Sequence, residues 1–281
     1  MQKCPVTVII PTYNREPFLC EAILSVLHQH CLPAEIIIVD DGSTDATRES
    51  VMSIAADSAI DLCYIFQPNS GVARARNIGI ANAHCEYIAF LDSDDRWLRD
   101  KLQKQYDCMV RNPRYDISHT REKWLRRGTH LNQKKKHLPQ NGDIFEHCLQ
   151  LCAVGMSTVM AKRELLYEVG LFDPGYCCCE DYELWLRVSS RHPFLLVDEQ
   201  LTIKQGGRDD QLSFRHRIGM DRFRIDALEK LLAEAHLTRK QRESAKKELM
   251  KKLAIYGNGC LRHGREAEGR RCLDRIRELQ S

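Results

Sequence analysis

No apolar run in this chain approaches the roughly 18 residues that a membrane-crossing helix needs, so no transmembrane segment is expected. The opening residues, Met1-Gln2-Lys3-Cys4-Pro5, lack the apolar stretch and small-residue cleavage pattern of a secretory leader. The expectation is a cytoplasmic protein. Two phosphate-binding signatures are also missing: there is no G-x-x-x-x-G-K-[ST], and no G-x-G-x-x-G follows the first strand pattern. Both absences disfavour a P-loop nucleotidase and a NAD-dependent dehydrogenase. Charge of one sign is not in large excess, with a net +3, and no nucleic-acid partner is expected.

What is present fits a soluble globular chain. Its 281 residues can bury one substantial core, or a core plus an extension; 43% are hydrophobic and 29% charged. Thirteen cysteines are many, and the number is odd. They are scattered, and Cys20, Cys63 and Cys108 sit among apolar neighbours as small hydrophobes. Cys177-Cys178-Cys179 is not read as a zinc site. Three adjacent residues rarely aim their thiols at one ion, and no spaced Cys or His pair accompanies them in sequence. The charge is uneven along the chain. From His236 to Ser281 there are 13 Lys/Arg and 6 Asp/Glu, a local +7, which leaves −4 on the first 235 residues. That tail is expected to face an anionic membrane surface or a protein partner.

Strand and helix patterns alternate through the first hundred residues. Strands are expected at Val6–Ile10, Glu35–Asp40, Leu62–Phe66 and Glu86–Leu91, and helices at Glu16–His30, Thr44–Ala56 and Val72–His84. Near-continuous apolar strands separated by amphipathic helices predict a mostly parallel central sheet covered by helices on both faces. Ligands of such folds bind at the carboxyl ends of the strands. Farther along, strands are expected near Tyr115–His119, Ser157–Ala161 and Phe194–Val197, and helices at Ile144–Leu151, Arg163–Val169 and Asp181–Arg191. Arg121–His137, with seven Lys/Arg and one acid, reads as a solvated mobile loop or a substrate-contacting flap. From Phe214 the pattern is helical. Ala245, Leu249, Leu253 and Tyr256 form one apolar stripe; Leu273, Ile276 and Leu279 form another. Glycines near 258 and at 264 are expected to separate them, and the pair must pack on the body or on a partner. The divisions expected are 1–113, 114–213 and a helical extension over 214–281.

Three strand ends carry unusual loops: "PTYN", "DDGSTD" and "DSDD". In the last, Asp92, Asp94 and Asp95 place three carboxylates within four positions. Like charges this close favour a bound counter-ion, although any of them could also cap a helix beginning near Trp97.

"VTVIIPTYNREPFLCEAILSVLHQ", "EIIIVDDGSTDAT", "NSGVARARNIGI" and "EYIAFLDSDD", in that order, resemble family 2 glycosyltransferases of the GT-A fold. "GLFDPGYCCCEDYELWLRV" resembles that family's acceptor-side motif, and "GGRDDQLS" its later loop. The resemblance implies an inverting transfer of one sugar from a nucleotide-diphosphate donor, most readily a UDP-sugar, to an acceptor hydroxyl. The acceptor would be a glycan, a lipid-linked saccharide or a protein. Membrane helices and a Q-x-x-R-W motif, which mark processive synthases of the family, are absent from this sequence. Pro11, Thr12 and Tyr13 would line the base pocket, and an aromatic ring there is worth about 1–3 kcal/mol by stacking. Asp41 would accept the uracil imide N–H, and Arg76 would contact the nucleotide or else pair with Asp40 or Asp92. Asp92-Ser93-Asp94 would be the DXD motif, with Asp94 binding Mn²⁺ or Mg²⁺ and Asp92 contacting ribose or a metal-bound water. Asp95 would cap the following helix. Asp181 would be the catalytic base, with Glu180 positioning the helix or the acceptor. Arg208 stands where a metal- or phosphate-reaching His is expected. It cannot ligate a metal but can hold phosphate, so either the metal would have fewer protein ligands or the metal requirement would be weaker. The rivals are a catalytically weak binding module of the same fold and a sugar nucleotidyltransferase. The latter would want a Gly-rich basic loop where "PTYNREP" stands.

Overall fold

The computed structural model describes residues 2–216 and 218–280. The outer limits of the expected divisions, residues 1 and 281, therefore lie outside the described residues. Apolar alternation in the first strand sets the architecture. β1 (Gln2–Thr12), β2 (Cys31–Asp40), β3 (Asp61–Phe66) and β4 (Tyr87–Phe90) run parallel in the order β3-β2-β1-β4. Val6, Val8 and Ile10 face one side of the sheet and Ile9 the other, as a two-residue side-chain period requires. The crossovers α1 (Glu16–Leu27), α2 (Thr47–Ala56) and α3 (Val72–Ala81) fill the expected gaps. α1 buries Leu19, Ala22, Ile23 and Val26, a single helical stripe, against the Val6 face. α3 lies on the other face, where a Cβ added at Gly79 would stand 2.5 Å from Ile9 Cγ2.

The second half departs from a parallel sheet. β5 (Arg96–Trp97) occupies the place where a helix was expected, and α4 (Lys101–Arg111) starts only afterwards. β6 (Ile117–Arg126), β7 (Thr129–Leu131), β8 (Met160–Lys162) and β9 (Leu195–Gly206) complete the order β3-β2-β1-β4-β8-β6-β9-β5, with β7 beside β6. β8 runs antiparallel to both β4 and β6, and β5 runs antiparallel to β9, while β6 and β9 are parallel. Much of the cationic stretch from Arg121 is therefore not a loop. β6 pairs with β9 as far as Arg126↔Gly206, and the chain turns at Arg127-Gly128 into β7. Backbone pairing holds this strand although its side chains read as solvated.

α5 (Phe145–Gln150), α6 (Arg163–Glu168) and α7 (Glu180–Ser189) fall where expected. They are followed by α8 (Leu212–Arg215), α9 (Met220–Ala233), α10 (Arg239–Arg262) and α11 (Glu266–Gln280). The "GNG" at 257–259 does not break α10. A Cβ on Gly257 would meet Gly269 O at 3.1 Å, so the glycine lets α11 cross in backbone contact, and the turn comes at Gly264, with φ +75°. Leu228 and Leu231 of α9, and Ala245, Leu249 and Leu253 of α10, join Tyr182 and Trp185 of α7 in one buried cluster. The C-terminal helices thus pack on the body. Among the described residues no helix is long and apolar enough to cross a membrane.

Candidate active site

The site is built at the carboxyl ends of β1, β2 and β4, where the loops converge on the head of α7. Asp40 is structural: it accepts hydrogen bonds from Tyr64 Oη at 2.6 Å and the Ser43 N–H at 2.8 Å. Asp41 is buried. It accepts from Gln67 Nε2, from the Ser70 N–H at 2.7 Å and from the Gly71 N–H at 2.9 Å, so it ties down the loop entering α3. Among the described residues Oδ2 takes only the Gly71 bond, which leaves acceptor capacity on that oxygen. Pro11 and Thr12 end β1 beside Val39 and Asp40 of β2. Thr12 Oγ1 is buried without a hydrogen-bond partner among the described residues, while Tyr13 is 43% exposed.

Arg76 joins two motifs that lie far apart in sequence. Its Nη1 donates to Glu180 Oε1 at 2.6 Å and its Nη2 to Asp92 Oδ1 at 2.8 Å, and the whole side chain is buried over the Phe172 ring. Of the partners weighed for it, the structure supplies Asp92, and adds Glu180. Burial raises the Glu180 carboxyl above its ordinary value, against the opposing pull of Arg76. Asp181, one residue on, accepts from the Tyr182 N–H at 2.7 Å through Oδ1 and from the Cys152 thiol at 3.0 Å through Oδ2. Burial, and then the charge of Asp181, push the Cys152 thiol up. It therefore stays protonated, as a donor that orients the carboxylate.

Ser93 is buried between the two aspartates of the DSD motif. Asp94 lies in a closed ring of charges. Its Oδ2 accepts from Arg208 Nη2 at 2.6 Å, pairs with Arg15 Nη1 at 3.2 Å and accepts from Gln211 Nε2 at 3.3 Å. Asp210 closes the ring, taking Arg208 Nε on Oδ1 at 3.0 Å and Arg15 Nε on Oδ2 at 3.2 Å. Burial works to raise the Asp210 carboxyl, but the Arg208 hydrogen bond and the two cations outweigh it and hold it below its usual value. Phe18 of α1 lies under the Arg208 guanidinium, 4.1 Å from ring centroid to carbon.

Asp95 does not cap a helix. It is buried, accepting from Ser157 Oγ at 2.7 Å and from the Gln205 N–H at 3.0 Å, and so pins β9 to the DSD loop. Burial, followed by the Asp94 charge, raises its carboxyl well above the usual range. Sequence reasoning missed Arg15, Cys152, Ser157, Asp210 and Gln211. Arg15, Asp210 and Gln211 stood inside quoted motifs, and their charge and polarity were the available signal.

The carboxylates at this strand mouth are of the kind that suits a hard divalent cation, which Asp94 would hold directly, with Asp92 beside it. Arg15 and Arg208 already neutralise Asp94, so such a cation competes with them. Arg208→Gln should tighten Mn²⁺ binding to the donor-free protein by about tenfold, the order expected for removing one like charge beside a partly solvated site. Titration followed by the Mn²⁺ paramagnetic resonance signal checks this, and an unchanged affinity would show that the ring does not compete.

Comparison with known proteins agrees with this architecture. An uncharacterized glycosyltransferase of Rickettsia felis is 38% identical over 203 residues, covering 70% of this chain and 32% of that protein. The chain thus spans about a third of the length of the first such relatives it matches. The Escherichia coli enzyme WfgD, a UDP-Glc:alpha-D-GlcNAc-diphosphoundecaprenol beta-1,3-glucosyltransferase, is 34% identical over 183 residues, covering 65% of this chain and 69% of its own. Among solved structures, the mannosyltransferase PcManGT of Pyrobaculum calidifontis, in complex with GDP-Man and Mn²⁺, superposes with a TM-score of 0.68 at 17% identity, covering 92% of this chain and 75% of that one. At that identity the likeness shows the fold, which is GT-A. Residues 7–170, more than half the chain and the stretch that contains the DSD loop and Arg76, match the Glycosyl transferase family 2 profile, and the chain belongs to that family.

Proposed function

We propose that this glycosyltransferase moves a single sugar from a UDP-linked donor to a hydroxyl of a lipid-linked saccharide, with inversion at the anomeric carbon. The observation that carries the reading is the Arg76 bridge, which sets the DSD loop and the Glu180-Asp181 pair on one guanidinium. Donor and acceptor machinery then meet at one place. The donor and acceptor classes follow those named for the E. coli relative. Of the wider acceptor set, other glycans and proteins are the alternatives.

In this reading Tyr13 stacks on the base, and Asp41 accepts its N–H. Asp181 removes the acceptor hydroxyl proton as the oxygen attacks the anomeric carbon. The bond to the diphosphate oxygen breaks, and its electron pair leaves with the nucleoside diphosphate. Arg15 and Arg208 meet the charge that develops there. A divalent cation held by Asp94 and Asp92 would add Lewis-acid stabilisation of the same leaving group. The basic helices beyond His236 would hold the enzyme at an anionic bilayer, beside a lipid-borne acceptor.

The test is a thermal-shift and hydrolysis panel of UDP-, GDP- and dTDP-sugars with Mn²⁺, because a ligand that binds the native state raises its melting temperature. UDP-sugars should give a shift of several degrees at millimolar concentration, and the anomeric coupling of the product should report inversion. A shift with GDP-sugars alone, or with none, overturns the donor assignment. Binding to anionic vesicles should fade as salt rises; salt-insensitive binding, or none, removes the membrane role.

A further inference from the structure

Among the described residues, and apart from the residues assigned to donor and base chemistry, one group of side chains has the composition of a metal site. Cys177 and Cys178 precede α7, and His216 follows α8. Their ligand atoms all lie within 4.8 Å of one another. The sequence reading set aside Cys177–Cys179 because no spaced partner accompanies it. The fold supplies that partner from the far side of the second half of the chain.

The group is held rather than accidental. Phe223 of α9 braces both halves: its ring packs against Tyr176, 6.4 Å between centroids, and edge-on against His216 at 6.1 Å. Tyr176 is anchored in turn by its hydroxyl on Asp226. The loop carrying the thiols and the segment carrying the imidazole are therefore positioned by one aromatic side chain. Cys177 is exposed, Cys178 buried and His216 half-buried, so two ligands sit inside a wall and one side stays open to solvent.

We propose that Cys177, Cys178 and His216 form a site for a thiophilic divalent cation of the Zn²⁺ class, separate from the hard-cation chemistry of Asp92 and Asp94. Two thiolates and an imidazole are soft and borderline ligands, suited to Zn²⁺ and poor for Mg²⁺ or Mn²⁺. Tetrahedral Zn²⁺, with bonds of about 2.3 Å to sulfur and about 2.0–2.1 Å to nitrogen, would need the three atoms drawn together by roughly 1 Å. Water or the neighbouring Cys179 thiol would complete the fourth position. An ion here ties the loop leading directly into Glu180 and Asp181 to the head of the C-terminal helices, so occupancy would stiffen the base-bearing end of α7.

The test uses the full-length reduced protein and Co²⁺ as a spectroscopic stand-in for Zn²⁺. One equivalent of Co²⁺ should produce the strong near-ultraviolet thiolate-to-metal absorption and the visible bands of tetrahedral coordination, and Zn²⁺ should bleach them. Competition with a chromophoric chelator should give one Zn²⁺ per chain, weakened by about 10²-fold or more in Cys177→Ser and in His216→Ala, while Cys63→Ser, at an exposed cysteine elsewhere, changes nothing. Both informative positions are at least partly exposed, and metal-free melting of each variant verifies its folding. Octahedral Co²⁺ spectra, or spectra and affinity unaltered by Cys177→Ser and His216→Ala, overturn the proposal.

Discussion

Asp181→Asn is expected to slow sugar transfer by about 10²–10⁴, or roughly 3–5 kcal/mol in the barrier, while donor affinity stays within a few-fold. The substitution keeps the shape of the side chain. Oδ1 still accepts from the Tyr182 N–H, and the head of α7 keeps its geometry. What disappears is the basicity that the acceptor hydroxyl needs at the moment it attacks. In the proposed mechanism only the transfer step uses that basicity, so kcat should fall and donor binding should not. Glu180→Gln should cost less transfer, because Glu180 already spends its carboxylate on Arg76. The measurement is product formation with a matched donor and acceptor, alongside calorimetric donor binding on the same preparation. Near-normal transfer by Asp181→Asn would place the base elsewhere. Loss of donor binding together with early melting would make Asp181 a structural cap of α7.

The parts of this candidate site that could be read from the sequence are those whose pattern is local. "DSDD" follows an apolar strand within a few residues, and Glu180-Asp181 opens an amphipathic helix whose buried face includes Leu184, Trp185 and Val188. Pattern and chemistry share one short window there. The ring around Asp94 is different. Arg15, Asp94 and the Arg208–Gln211 loop come from three distant stretches. They meet because β9 continues past Val197 to Gly206, through residues too polar to read as a strand. Parallel pairing with β6 supplies their backbone partners whatever the side chains are. Asp95 was read as a cap for a related reason. Its burial depends on the Gln205 N–H, which that same unforeseen extension delivers. Arg76 was open to two readings from sequence, nucleotide contact or ion pair. The fold, which sets the first residue of α7 within reach of α3, brings Glu180 to it.

That bridge carries the second large effect. Arg76→Met fills much of the same volume but leaves Glu180 and Asp92 without their cation. Removing one member of a buried ion pair costs about 3–5 kcal/mol, because the remaining charge is stranded. For a domain of this size that lowers the melting temperature by on the order of 10 °C. The deficit should depend on pH, with a definite sign. Glu180 is already raised above its ordinary value of 4.5 by burial, with Arg76 pulling the other way. A carboxyl raised on folding gives stability that is full below its unfolded value and is lost as pH rises through the folded value. Taking Arg76 away raises the folded value further, so the variant should lie closest to the parent in mild acid and fall away toward pH 8. Arg76→Met/Glu180→Gln should recover part of the loss at pH 8 and little in acid, since protonation has already neutralised Glu180 there. Melting curves of the parent, the single variant and the double variant across pH 5–8 measure this directly. A deficit that does not change with pH would mean that Arg76 holds the fold by packing on Phe172, and that the link between the DSD loop and the head of α7 is steric rather than electrostatic.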